Sequence, residues 1–365
     1  VDQDRATVMD EVAPPLFDPA SPPHGHEAFT SALRDALDGG RAAHGWLLSG
    51  PQGIGKAAMA CMAAAWLLRE RGDEPALIGG GAVTVDPADP GSNLVCKGHH
   101  PDLLVIRPEL KDNKSGQIKL EQIRKLVGFM GHRPGRGGWR VAIIDSMDQV
   151  NRNGANALLK LLEEPPEKTM LFLVASRPGR LPPTIRSRCR LVRIAPPDEA
   201  LCRDVIAGHL SDIDASRAED LARLAEGAPG RALSLAQSQS DDFYRATCAL
   251  LAEPRFDMAA AATLCEKWGR GGAEGQPLRD GAIWLIGRLL RLAAVRAAGK
   301  ENVASVVCAF EEEAISRLVS HHGAGRLADQ HATFLRSASQ MNGLYLDFGH
   351  FLSRELAALG GKSLP

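Results

Sequence analysis

The stretch Gly50-Pro51-Gln52-Gly53-Ile54-Gly55-Lys56-Ala57 constrains this chain more than any other. It fits the phosphate-loop pattern G-x-x-x-x-G-K, in which glycines let backbone N–H groups curl around phosphates and the lysine reaches the outer ones. The next position normally carries a Ser or Thr hydroxyl for Mg²⁺; here it is Ala57. The flanks suit the motif. Gly45-Trp46-Leu47-Leu48-Ser49 reads as a buried strand entering the loop, and residues 57–68 as a helix leaving it, which sets the loop amides at a helix N-terminus. The plainer alternative is a glycine-rich turn with Lys56 in solvent. On the phosphate-loop reading, Gly50, Gly53, Gly55 and Lys56 form a degenerate ATP site.

Residues 1–24, rich in Pro, Asp and Ala, read as a loose N-terminal arm. A helix follows, with Phe29, Leu33 and Leu37 at four-residue spacing, closed by Gly39-Gly40. The helix over 57–68 is apolar on every face, as expected of one packed between two layers. Residues 71–98 read as glycine-rich and irregular, and His100-Pro101-Asp102 leads into the strand Leu103-Leu104-Val105-Ile106. After a polar turn at 111–117, Ile123, Leu126, Val127 and Met130 carry helical spacing. The strand Arg140-Val141-Ala142-Ile143-Ile144 ends in Asp145. Residues 156–164 are helical, with Ala155, Leu158, Leu159 and Leu162 on one face, and Pro165-Pro166 stops them. Strands at 170–175 and 191–194 complete the region.

Short, wholly apolar strands alternating with helices predict a parallel sheet covered on both faces. Beyond Pro197 strand signals vanish. Residues 198–238 hold two or three short helices broken at Gly227-Ala228-Pro229-Gly230, and helical periods continue from about 243, including Leu285, Leu289 and Leu292. Residues 269–275 read as a loop, and 327–359 as an amphipathic stretch. The predicted organisation is an arm (1–24), an α/β phosphate-loop domain (25–197), a small helical domain (198–240) and a larger all-α domain (241–365).

Lys plus Arg number 43 against 44 Asp plus Glu, a net charge of −1, so no overall basic field recruits nucleic acid. A stand-alone DNA-binding module therefore fits poorly, the more so without an aromatic and basic platform. Seven cysteines at 61, 96, 189, 202, 248, 265 and 308 show no framework spacing and no secretory leader is read, which predicts reduced thiols in a cytoplasm. The longest apolar run, residues 57–68, falls short of the roughly 18 residues needed to span a bilayer.

Asp145 ends its strand where a Walker B aspartate helps position Mg²⁺, unless it is simply a strand-end or cap aspartate. Active AAA+ ATPases usually place a water-activating glutamate next; here Ser146 follows, which is no base near neutral pH, and Asp148 is read as pointing elsewhere. Arg188, in Ser187-Arg188-Cys189, sits at the edge of an apolar domain in a turn from which it could enter a neighbour, or it is a surface charge.

Asn156-Ala157-Leu158-Leu159-Lys160-Leu161-Leu162-Glu163-Glu164-Pro165-Pro166, followed by Arg186-Ser187-Arg188-Cys189-Arg190, resembles bacterial DNA polymerase III clamp-loader subunits. The resemblance covers about residues 25–240 by motif, and the helical C-terminal third by architecture only. A degenerate ATP site with an intact Ser-Arg-Cys motif is similar to the delta-prime subunits; the gamma/tau ATPases carry Gly-Lys-Thr or Gly-Lys-Ser and an Asp-Glu pair. The resemblance implies an AAA+ domain, a lid and a collar in a pentameric ring. Partners would be the gamma/tau ATPase and delta subunits and, indirectly, the beta sliding clamp and primer-template DNA, with no membrane. Arg188 would serve as an arginine finger for a neighbouring ATP site, with Ser187 and a buried Cys189 shaping its turn. The competing reading is a catalytically active, gamma/tau-like ATPase working through Lys56 and Asp145.

Three departures from the family pattern bear on cofactors. A four-cysteine zinc module is common there, but Cys96 with His99 and His100 cannot close a tetrahedral site, so no metal is expected. Arg231 falls one place late for the ATP-sensing arginine of active subunits and is not assigned to nucleotide. Retention of Lys56 and the loop glycines leaves weak ATP or ADP binding, with no cofactor required.

Overall fold

A computed structural model describes residues 17, 23, 27–38, 43–70, 85–108, 116–135, 138–269, 275–300, 307–344 and 347–361. The expected arm, apart from residues 17 and 23, lies outside them, as do most of the glycine-rich stretch (71–84), the turn at 111–115 and the loop at 270–274.

The first part of the chain runs α1 (Glu27–Asp38), β1 (Gly45–Ser49), α2 (Lys56–Leu67), α3 (Pro90–Cys96), β2 (Leu103–Ile106), α4 (Leu120–Met130), β3 (Arg140–Asp145), α5 (Arg152–Glu163), β4 (Thr169–Ala175), α6 (Pro183–Arg186) and β5 (Arg190–Arg193). The strands form one sheet in the order β2-β3-β4-β1-β5, every neighbouring pair parallel. This order and the flanking helices are the α/β phosphate-loop architecture expected from the apolar strands. β1 and β4 are buried throughout because helices cover both faces. Alternate residues of β1 face opposite layers. Trp46 meets Phe29 of α1 edge-to-face at 5.9 Å, and Phe172 of β4 meets the same ring at 6.0 Å. Leu47, Leu171 and Leu173 join a second cluster with Ile123, Leu126, Leu158 and Leu162 of α4 and α5.

Local chemistry sets the helix ends. Asn151 caps α5 by accepting from the N–H of Gly154 at 2.8 Å. Helix α5 buries Leu161 along with Leu158 and Leu162, while Leu159 is half-buried, so its inward face is rotated from the expected one. Residues 90–96, expected to be irregular, form α3 instead: Asp89 accepts from the N–H of Ser92 and Pro90 starts the first turn.

Gln52–Ile54, Gly116 and the described residues from Pro196 onward form a second unit. It contains α7 (Glu199–His209), α8 (Ala215–Leu224), α9 (Pro229–Gln237), α10 (Ser240–Ala252), α11 (Met258–Trp268), α12 (Gln276–Ala297), α13 (Glu311–His321), α14 (Ala324–Leu344) and α15 (Phe348–Leu359). One hydrophobic cluster runs from Cys202 to Leu359 and includes Leu285, Leu289 and Leu292, so helices on both sides of residue 240 draw on it. The break before α9 is made by Glu226 and Gly227, both at positive φ, where a Cβ on Gly227 would stand 2.6 Å from the carbonyl oxygen of Pro197. No helix among the described residues is long and apolar enough to cross a membrane.

Candidate phosphate loop and arginine site

Because the sheet is parallel, the carboxyl ends of β1, β3 and β4 open on one edge, where open α/β sheets present their ligand sites. The loop after β1 carries Gly53 at φ 86° and Gly55 at φ 87°, left-handed conformations that glycine adopts at little cost. Gln52–Ile54 groups with the second unit: the N–H of Gly230 donates to the carbonyl of Gly53 at 2.8 Å, and a Cβ on Gly53 would lie 2.7 Å from the backbone nitrogen of Arg231.

Lys56 is buried, not solvated. Its Nζ donates to the carbonyls of Gly50 at 2.9 Å and Pro51 at 2.5 Å, and to Oγ of Ser176, just past β4, at 3.3 Å. The ammonium is thus engaged by its own loop and by the neighbouring strand end.

Asp145 stands at the end of β3, beside Val174 in register. Its carboxylate pairs with Arg107, just past β2, at 3.7 Å. Burial pushes its pKa above the ordinary value, and Asp148 adds to that, against the opposing pull of Arg107 and Lys56. Asp148 accepts from the N–H of Ser176 at 3.4 Å, so it belongs to the same edge although its carboxylate faces a strand end. Ser146 takes φ 80° at the position after Asp145. At the two positions where Mg²⁺-dependent hydrolysis uses a hydroxyl and a carboxylate, the chain thus places Ala57 and Ser146.

Arg188 lies in the turn between α6 and β5, with its side chain 36% exposed. Its Nη2 pairs with Oε1 of Glu163 at 2.6 Å, and its Nη1 donates to the carbonyl of Thr184 at 3.1 Å and reaches Oγ of Ser187 at 3.5 Å. Ser187 Oγ donates to the same Thr184 carbonyl at 3.2 Å. Cys189 is buried, and burial pushes its thiol up to about 12. Ser187 and Cys189 thus shape the turn from either side of the arginine.

Arg231 places its guanidinium 3.7 Å from the Trp284 ring centroid and donates to the carbonyl of Ala225 at 3.1 Å. Cys96 is buried at the end of α3, and His100 Nδ1 accepts from the N–H of Asp102 at 3.1 Å. Among the described residues no group of three His, Cys, Asp or Glu side chains is arranged to hold a metal. Sequence reasoning did not single out Ser176, Arg107 or Glu163 as partners of the site residues. Ser176 and Arg107 directly follow strand carboxyl ends, which is the signal that points to them.

Residues 25–198 match the family model described as DNA polymerase III, delta subunit. Among curated proteins, the chain is 40% identical over 193 residues to DNA polymerase III subunit delta' of Pseudomonas aeruginosa, covering 52% of this chain and 56% of that protein. It is 35% identical to the delta' subunit of Escherichia coli, covering 44% and 47%, and 32% identical to the tau subunit of the same organism, covering 58% and 31%. The matched part thus spans about half, or less, of these relatives' lengths.

Proposed function

We propose that this chain is a delta-prime-type clamp-loader subunit that completes the ATPase site of a neighbour, a reading supported by the match of residues 25–198 to the family model described as DNA polymerase III, delta subunit. One contrast carries the reading. The phosphate loop lacks its Mg²⁺ hydroxyl and holds its lysine on its own carbonyls, while Arg188 stands exposed on an anchored turn. A planar guanidinium supplied in trans neutralises charge on a transferring phosphoryl group, and such fingers are worth about 10³–10⁵ in turnover.

In this reading the partners are gamma/tau ATPase subunits and a delta subunit, and through them the beta sliding clamp and primer-template DNA in the cytoplasm. The chain itself has neither polymerase nor ATPase activity. It needs no metal or cofactor; Gly50, Gly53, Gly55, Lys56 and Asp145 retain at most weak ATP or ADP binding. Residues 198–240 act as the lid and 241–365 as the collar that joins the assembly.

The test is co-purification with gamma/tau-type and delta-type subunits, then ATPase measurement with and without this chain. The expected result is a stable complex whose DNA- and clamp-stimulated ATPase rises when the chain is added, while the chain alone shows background turnover. Turnover by the isolated chain that Lys56→Ala abolishes would replace this reading with the active-ATPase alternative.

A further inference from the structure

We propose that Glu163 is a positioning residue for Arg188: by holding Nη2, it orients the fork before a phosphate-bearing partner arrives. The inference rests on the reading of Arg188 as an arginine finger. Glu163 is the last residue of α5, twenty-five positions before Arg188, and the two meet at 2.6 Å. Thr184 and Ser187 take Nη1 on the other side. A guanidinium has five N–H donors in a rigid fork. These contacts fix its plane while Nε and the second hydrogen of Nη2 have no part in them, so an outside anion can be bound without breaking them.

Stability alone gives little reason for a carboxylate here. A helix C-terminus is the negative end of the macrodipole, where Glu is unfavourable, and an exposed ion pair is close to neutral in energy. The pair does limit where a long, flexible side chain can point. Residues 169–197 contain no acid, and Arg177, Arg180, Arg186, Arg190 and Arg193 are all exposed. In that basic segment Glu163 supplies the negative group that keeps Arg188 on its turn, which is preorganisation in the sense that matters for transition-state charge.

The experiment uses the full chain assembled with gamma/tau-type and delta-type subunits, with ATP, primed DNA and clamp. Wild type, Glu163→Ala, Glu163→Gln, Arg188→Ala and the double Glu163→Ala/Arg188→Ala variant are compared. Glu163→Ala is expected to remove about nine-tenths of the kcat increment that Arg188 supplies, leaving KM for ATP and assembly unchanged. Glu163→Gln, which keeps an acceptor, should fall between it and wild type. The double variant should match Arg188→Ala. If Glu163→Ala turns over like wild type while Arg188→Ala is slow, the positioning role is overturned and the finger stands. If the double variant is slower than Arg188→Ala, or Glu163→Ala fails to assemble, Glu163 acts structurally and the proposal is equally overturned. Wild-type turnover by Arg188→Ala would remove the finger reading, and this inference with it.

Discussion

Lys56 and Arg188 both carry charges suited to phosphate, and the fold treats them in opposite ways. Lys56 is 5% exposed and spends its donors on Gly50, Pro51 and Ser176; Arg188 stays at the surface with part of its fork turned outward. Arg188→Lys keeps the charge and loses the planar fork, so it is expected to restore less than about a tenth of the rate increment missing in Arg188→Ala, measured as ATPase of the assembled complex. Asp145 offers a test by pH. Its pKa is raised by burial, so the folded chain binds that proton more tightly than the unfolded chain does. Stability therefore falls as pH rises from the ordinary aspartate pKa of about 3.9 through the higher folded value. Asp145→Asn should raise Tm at pH 7, and the gain should vanish toward pH 3, as followed by thermal melts across that range. An equal gain at both ends would show that charge is not the cause.

Strands and capped helices were legible because their signals are local. Residues 46–48 of β1 and 141–144 of β3 are continuous apolar runs, as a strand covered on both faces carries, and the stop of α5 is written in Pro165-Pro166. Helix α3 was missed although Asp89-Pro90 is a cap followed by a first-turn proline; the glycines upstream masked it. Contacts between distant positions had no local signal, so Lys56 to Ser176, Arg107 to Asp145 and Glu163 to Arg188 emerged only with the strand order. Asp102 belongs to this class. Buried before β2, it accepts from Arg140 at 2.9 Å and from the N–H of Gly135 at 2.9 Å, while Arg140 also donates to the carbonyls of Phe129 and Arg133. Asp102→Ala leaves a buried guanidinium unpaired and is expected to cost about 3–5 kcal/mol, read from urea denaturation. A loss under 1 kcal/mol would mean that water replaces the carboxylate.

Each unit has a core of its own, and the helical one contains a buried polar knot. Glu311, at the start of α13, accepts from Tyr244 of α10 at 2.6 Å, from Arg288 of α12, and through its other oxygen from the N–H of Val307 at 2.7 Å. Glu311→Ala should destabilise the second unit by about 3–5 kcal/mol, whereas replacing Tyr244, Arg288 and Glu311 together by Phe, Met and Leu should recover most of it, both followed by calorimetry. No recovery would show that the knot sets the helix arrangement and not only its energy. The cysteines add a property of the whole chain. All seven are unbridged and buried, spread from Cys61 to Cys308. Burial pushes the Cys61, Cys189 and Cys202 thiols up to about 12 and Cys265 to about 11, so closed sites hold almost no thiolate. Alkylation at these four must then wait for the backbone around the thiol to open, which makes them a set of internal clocks. Mass-spectrometric labelling rates, read cysteine by cysteine, would time those openings, and Cys189 would report on the turn that carries Arg188.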